Sequence, residues 1–345
     1  MTTRLSADPR GLAEAALLLR DGRLVAFGTE TVYGLGADAR SAEAVRALYA
    51  AKGRPSFNPL IVHVADAGAA FRLARPSDAL ADMAERLAAA FWPGPLTMVL
   101  RRAPDAPVCA EAAAGLASLA LRVPGAAAAR LLREAGIPIA APSANRSGRV
   151  SPSEAAHVLA ELDGRIDAVL DTGPCAVGLE STVLDLTGDR PVLLRPGGVT
   201  REAVEAITGP LGTPASGSGM PAAPGMLASH YAPALPLRLD ARAAEPDEAL
   251  LAFGDMPGRP VLSWNLSPSG DLAEAARRLF GGLRLLDAEA SRLGLRGIAA
   301  MPVPAHGLGL AIRDRLARAA APRPSGVPAL PVDPAVAPLV PERAS

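Results

Sequence analysis

Four polar clusters in this chain carry residue types able to handle an anion or a small polar ligand. The densest is KGRPSFNPLIVHV (52–64), where Lys52, Arg54 and Asn58 precede a strand that holds His63. Cations and an amide crowded onto one short loop supply the donors that a carboxylate or phosphate requires. The plainer reading is a solvated helix end, where cations favour the negative pole, and a strand histidine held by structural hydrogen bonds. A second cluster, GTETVYGLG (28–36), offers the hydroxyl of Thr31; its plain reading is a Gly-rich turn (34–36), with Gly34 and Gly36 at positive φ. In the third, APSANRSGRVSPSEAAHVL (141–159), Ser151-Pro152-Ser153-Glu154 fits a capping box with proline at the first helical position. That leaves Ser143, Asn145 and Ser147 in a strand-to-helix loop, a common place to hold phosphate. The fourth, GLESTVLDLTGDRPVLLRPG (178–197), starts a strand at Ser181 and ends the next at Arg195, as Arg122 ends SLALRVP. Arginines at strand ends can converge on one rim of a sheet. Gly178–Val183 also echoes Gly28–Val32, in a match short enough to be chance.

Other chemistries are poorly served. Neither G-x-G-x-x-G nor G-x-x-x-x-G-K-[ST] occurs, so the standard nucleotide loops do not apply. The four histidines are scattered, with no partner at zinc-ligand spacing, and neither Cys109 nor Cys175 sits in a nucleophile motif. Chemistry here would rest on positioning and charge.

Elements must hold these residues in place, and 345 residues suffice for two domains. Strand-like segments at 59–65, 96–101, 118–123, 137–140, 167–170, 181–186 and 192–195 alternate with helical ones at 10–20, 41–51, 77–91, 126–135, 152–161 and 200–207. Closely spaced strand pairs predict an α/β fold with a twisted mixed sheet and flanking helices, over residues 1–208. A strand at 59–65 would put Ile61 and His63 on one face and Leu60, Val62 and Val64 on the other. Residues 209–233 are Gly/Pro/Ser/Ala-rich without an apolar period and mark a linker. Regular structure resumes over 234–320, with strands near 248–253, 260–264 and 297–301 and helices at 271–287 and 309–319. The first of these helices carries Leu272, Ala275, Ala276, Leu279, Leu283 and Leu286 at helical spacing. Residues 321–345 are Pro-rich and read as extended or disordered.

Composition narrows the partners. The 35 basic and 35 acidic residues cancel, so no global field draws in nucleic acid or an acidic membrane. Aromatic residues are 3% of the chain, which disfavours a base-stacking platform. Two cysteines fit a reduced cytoplasm, the N-terminus lacks a signal peptide's apolar stretch, and no apolar run is long enough to span a bilayer. A soluble cytoplasmic protein with no membrane association is the expectation.

Taken together, the clusters resemble the YrdC-type family. TETVYGLG, KGRPSFNPLIVHV, WPGPLT, LALRVP, APSANRSGRVSP, ESTVLD and LRPG follow that family's order over about residues 10–208. APGMLASHYAP (223–233) is similar to the segment that joins this domain to a smaller C-terminal α/β, Rossmann-like domain in two-domain threonylcarbamoyl-AMP synthases. The likeness continues to about residue 320. It implies synthesis of threonylcarbamoyl-adenylate and pyrophosphate from L-threonine, bicarbonate and ATP, with Mg²⁺ carried on the phosphates. The product would serve a downstream threonylcarbamoyl transferase that modifies the adenosine beside the anticodon of tRNA, with direct tRNA contact an open expectation. By the same resemblance, Thr31, His63, Arg122, Ser143 and Ser181 would hold threonine and its carbamate. Arg54, Asn58, Ser118, Asn145, Ser153, Arg195 and Tyr231 would contact ATP. Lys52 and Arg54 would position the reactants from the basic loop, and His230 would reach in with Tyr231 as part of a lid formed by the linker; no side-chain metal site or general base is implied. Gly28 stands where the family usually has proline and should loosen the turn before Thr31. Ala223 replaces a serine, and Leu227-Ala228-Ser229 replaces more basic residues. The rival reading is an RNA-binding YrdC-type module without synthase activity. The carbamoyl-transfer domain of hydrogenase maturation proteins is a poorer match, since two cysteines cannot supply its zinc motifs.

Overall fold

The structure, a computed structural model, describes residues 1–214 and 230–322. Among these residues an 11-stranded mixed sheet carries the N-terminal part of the chain and a 4-stranded parallel sheet the C-terminal part. This is the mixed α/β fold that the alternation of strands and helices predicts, with the smaller C-terminal α/β unit that the resemblance implies. Residues 215–229 of the expected linker and 323–345 of the expected tail lie outside the described residues.

The middle of the large sheet positions the polar clusters. Ile61–His63 runs parallel to Ser118–Arg122 with His63 opposite Arg122 and Ile61 opposite Ala120. Paired residues share a face, so His63 and Arg122 stand side by side. Leu96–Arg102 pairs antiparallel to Ser118–Arg122 on one edge and parallel to Thr182–Asp185 on the other. Val192–Arg195 completes that side and brings Arg195 opposite Val183. Ile61, Val99, Ala120, Val183 and Leu194 form a small apolar floor. Leu60, Val62 and Val64 enter the main core behind it, the division of faces that the alternation predicts.

Three local expectations are overturned. The supposed turn at Gly34 and Gly36 is a strand, Tyr33–Asp38, paired antiparallel with Val25–Gly28, and neither glycine has positive φ. Gly36 is required by packing instead: an added Cβ would lie 2.8 Å from the Phe27 ring and 3.1 Å from the Val25 carbonyl. Gly28 does not loosen a turn; it ends a strand, and a Cβ there would lie 1.9 Å from the Thr172 hydroxyl. Ser151 and Glu154 do not form a capping box. The helix is Ala155–Leu162, its N-cap Glu154 makes no side-chain cap bond, and the Ser151 hydroxyl donates to Glu180 at 2.5 Å. A buried carboxylate that needs donors outcompetes one helix amide for this hydroxyl.

Helix Ala42–Lys52 is capped at its start by Ser41 and ends at Gly53 in the left-handed region (φ +61). That reversal sets Lys52 in the last helical turn and sends Arg54 back toward the sheet. In the C-terminal unit, helices Leu272–Arg292 and Leu308–Ala320 cover the parallel sheet, and Ala275, Ala276, Leu279, Leu283 and Leu286 are buried as their spacing predicts. The two units meet closely. Gly178 lies so near the first of these helices that a Cβ would approach Arg277 Cα to 2.5 Å, and Arg284 pairs with Glu161 at 2.6 Å.

Candidate active site

A partly open cavity of about 50 Å³ lies where these elements converge. Thr31, Arg54, His63, Arg122, Ser143, Ser181, Arg195, His230 and Tyr231 line it, so nine residues singled out by sequence meet in one place. Lys52, Asn58, Ser118, Asn145 and Ser153 stand outside its wall.

Arg122, His63 and Thr31 form one group. The Arg122 guanidinium donates to Glu30 at 2.6 Å and to the Gly94 carbonyl at 3.2 Å. Glu30 also accepts from the Gly125 N–H at 3.0 Å. Burial pushes the Glu30 carboxyl up, but Arg122 and the backbone donors outweigh it and hold it below the usual carboxylate range. His63 is 3% exposed, and its Nδ1 faces the Ile61 carbonyl at 3.2 Å. Burial first, and the Arg122 charge second, push its pKa down to about 3, so the ring is neutral near pH 7. A carbonyl only accepts, so Nδ1 carries the proton toward Ile61, and the Ile139 backbone is a second acceptor beside the ring. The Thr31 hydroxyl contacts that of Thr29 at 2.7 Å, and Thr29 donates on to the Val32 carbonyl.

The basic loop is not the solvated helix end of the plainer reading. Lys52 is 2% exposed, and its ammonium donates to the carbonyls of Ser143 and Asn145, locking the helix end to the 143–149 turn. Burial, with the Arg54 charge adding to it, lowers its pKa to about 7. Arg54 donates to the carbonyls of Asn58 and Pro59, and burial lowers it to about 10. Both Asn58 side-chain polar atoms are buried without a hydrogen-bond partner, a costly arrangement. Asn145 is different: its amide donates to the carbonyls of Arg146 and Arg149 at 2.8 Å each and holds the turn. Ser118 opens the strand that Arg122 ends, on the same face. The Ser153 hydroxyl lies 3.4 Å from His157 Nδ1, within its own helix start.

The third group surrounds Arg195, which donates to the Ser181 carbonyl at 2.9 Å and its hydroxyl at 3.2 Å. Ser181 also contacts the Thr97 hydroxyl at 2.8 Å. Beside it, Glu180 accepts from Ser151 and, at 2.8 Å, from Arg315 of helix Leu308–Ala320. His230 and Tyr231 close the cavity from the far end of the linker. Tyr231 adopts φ +62, a region unfavourable to a bulky residue, and its ring stacks on Phe280 at 5.7 Å.

Glu30, Glu180 and Arg315 escape the sequence reading. The echo between GTETV and GLESTV was the available signal: Glu30 aligns with Glu180 and Thr31 with Ser181. In the fold, each glutamate pairs with an arginine, and the following hydroxyl faces the cavity. Arg315 gives no such signal, because its partner lies in the other unit.

Comparison with known proteins agrees with this geometry. Residues 17–197 match the family model described as Telomere recombination, and residues 199–321 that of the threonylcarbamoyl-AMP synthase C-terminal domain. The chain is 42% identical to the threonylcarbamoyl-AMP synthase of Bacillus subtilis, covering 93% of this chain and 96% of that protein. It is 36% identical to the synthase of Schizosaccharomyces pombe, covering 92% and 91% respectively. The fold is similar to the crystal structure of Pyrococcus abyssi Sua5 complexed with L-threonine, with a TM-score of 0.83, 35% identity, and coverage of 93% of this chain and 97% of that one. Full-length matches to both units, with a shared fold, place this chain in the threonylcarbamoyl-AMP synthase family.

Proposed function

We propose that this protein forms threonylcarbamoyl-AMP and pyrophosphate from L-threonine, bicarbonate and ATP. The observation that carries this reading is the meeting of Arg54, Arg122 and Arg195 with the hydroxyls of Thr31, Ser143 and Ser181 around one cavity. All three reactants bring anionic groups, and arginine's planar fork suits carboxylate and phosphate alike.

Arg122, fixed by Glu30, takes the threonine carboxylate. His63 and Thr31 receive its polar groups, and a site that bonds the hydroxyl rejects valine by leaving those partners unmet. His63 is too weak a base to carry a proton near neutrality, so its role is to hold threonine. Arg54, Asn58 and Arg195 take the phosphates, with Ser118, Asn145 and Ser153 toward the nucleotide and Ile61, Val99 and Ala120 as an apolar floor. The threonine amine, once deprotonated, adds to bicarbonate-derived CO₂ to give a carbamate. A carbamate oxygen then attacks the α-phosphorus and pyrophosphate leaves. Orientation and charge stabilisation dominate such a transfer.

Glu180, which lines the cavity, and Glu30, which stands behind Arg122, are each engaged by arginine, so Mg²⁺ is assigned to phosphate oxygens and water, where it would offset phosphate charge. The product is an activated donor for a downstream transferase acting on tRNA. Among the described residues no helix is long and apolar enough to cross a membrane, and both cysteines are free, which supports a cytoplasmic setting. The test is pyrophosphate release by purified protein given ATP, threonine and bicarbonate. Release that requires threonine supports the reading; RNA binding without such release would favour the non-catalytic module.

A further inference from the structure

We propose that His157 is a positioning residue that makes the Ser153 hydroxyl a hydrogen-bond acceptor, so that Ser153 reads a donor on the ribose or adenine of ATP rather than a phosphate oxygen. This rests on the synthase reading, which gives Ser153 to the nucleotide, and names the kind of group that Ser153 takes. The backbone around Ser153 is fixed from several sides. Tyr33 N–H donates to the Pro152 carbonyl and Cys175 N–H to the Ser153 carbonyl, each at 2.9 Å. Arg284 donates to the Val150 carbonyl, and the Ser151 hydroxyl donates to Glu180 of the cavity wall at 2.5 Å. With the main chain held, what Ser153 offers a ligand depends on where its hydroxyl hydrogen goes.

His157 decides that direction. Helix Ala155–Leu162 starts without a side-chain cap, and the His157 ring reaches back to Ser153 instead. The Ser153 N–H donates to His157 Nδ1 at 3.3 Å, and the Ser153 hydroxyl lies 3.4 Å from the same atom. A backbone N–H only donates, so Nδ1 carries no proton, and a hydroxyl facing a bare ring nitrogen donates to it. Burial, and the Arg284 charge after it, push the ring down to about 3, so Nδ1 stays bare near neutral pH. A hydroxyl has one hydrogen, and with that hydrogen turned to the ring only the Oγ lone pairs remain for a ligand. The ionised phosphate oxygens of ATP only accept. Its ribose hydroxyls and its adenine amino group donate, and these are the groups that Ser153 can take.

Nucleotide binding to the full chain tests this by calorimetry, without threonine so that no turnover occurs, alongside thermal melting. Threonine-dependent pyrophosphate release checks the synthase reading separately. The probes are ATP, its 2′-deoxy and 3′-deoxy analogues, and purine riboside triphosphate, which lacks the amino group. Wild type should bind at least one analogue about tenfold more weakly than ATP, and which one identifies the donor as sugar or base. His157→Leu and Ser153→Ala should each bind ATP about tenfold more weakly and lose that preference to within about twofold, with the double variant no worse than either. His157→Asn, whose Oδ1 takes the place of the accepting Nδ1, should keep the preference. A merely structural role would leave the preference intact in His157→Leu. That result, or a wild type indifferent to all three analogues, would overturn the proposal. If His157→Leu gives no cooperative melt, the other single variants decide: preference kept in His157→Asn and lost in Ser153→Ala supports the proposal, and any other pattern sinks it.

Discussion

At the scale of single residues, the cations of the site are each held by protein acceptors. Arg122 is oriented by Glu30, which spends one oxygen on the guanidinium and the other on the Gly125 amide. Glu30→Gln keeps the shape but removes the charge that fixes the fork. Its expected effect is an increase of about tenfold in KM for threonine with a smaller change in KM for ATP, read from the same initial rates. The residue types of this group were legible from their clustering, and their roles came from resemblance. What could not be read was burial: a lysine and an arginine beside a glycine look solvated, and only the close approach of the 143–149 turn makes Lys52 an internal tie. Asn58 shows the complementary case, since nothing in its neighbours along the chain foretells two unpartnered polar atoms.

At the scale of elements, periodicity located most helices and strands but mistook the reason for glycine. Gly34 and Gly36 sit in a paired strand, and at Gly36 the Phe27 ring and the Val25 carbonyl leave no room for a Cβ, a fact about tertiary approach that a window of sequence does not contain. Gly36→Val should therefore destabilise the protein by about 1–3 kcal/mol, measured by denaturant unfolding, despite valine's preference for strands. Helix Ala42–Lys52 supplies a second test. The folded chain depresses the affinity of Lys52 for a proton to about pKa 7, whereas the unfolded chain keeps the ordinary lysine value. Between these limits the unfolded state binds more protons, so stability at this position rises with pH. The stability of wild type relative to Lys52→Met should grow between pH 7 and 10; a flat difference would mean that Lys52 is not held as described. Ser151 was misassigned for a related reason: Ser-Pro-Ser-Glu is a local pattern, and the carboxylate that takes its hydroxyl is brought in by another strand.

At the scale of the molecule, three histidines share one fate. Burial pushes His63, His157 and His230 down to about 3, so the folded protein holds them neutral while the unfolded chain protonates them near their ordinary value. Their contribution is present above about pH 6.5 and is lost as pH falls toward 3. Each adds a slope approaching about 1.4 kcal/mol per pH unit across that window. Unfolding free energy measured between pH 7 and 4.5 should fall steeply, and replacing His157 by Gln should flatten the curve. The α/β character of both units was legible in the sequence, but the depth of contact between them was not. Gly178 against Arg277, Arg284 on Glu161 and Arg315 on Glu180 all join residues more than a hundred positions apart or in different units, where no local signal survives.

The position of Arg315 also orders events in time. Residues 1–214 leave the ribosome first and can fold as a unit, as N-terminal domains commonly do. Glu180 then lies without its ion-pair partner, because Arg315 is encoded in the last described helix. The nascent N-terminal unit thus carries a carboxylate whose charge is compensated by that arginine only when the final helix docks.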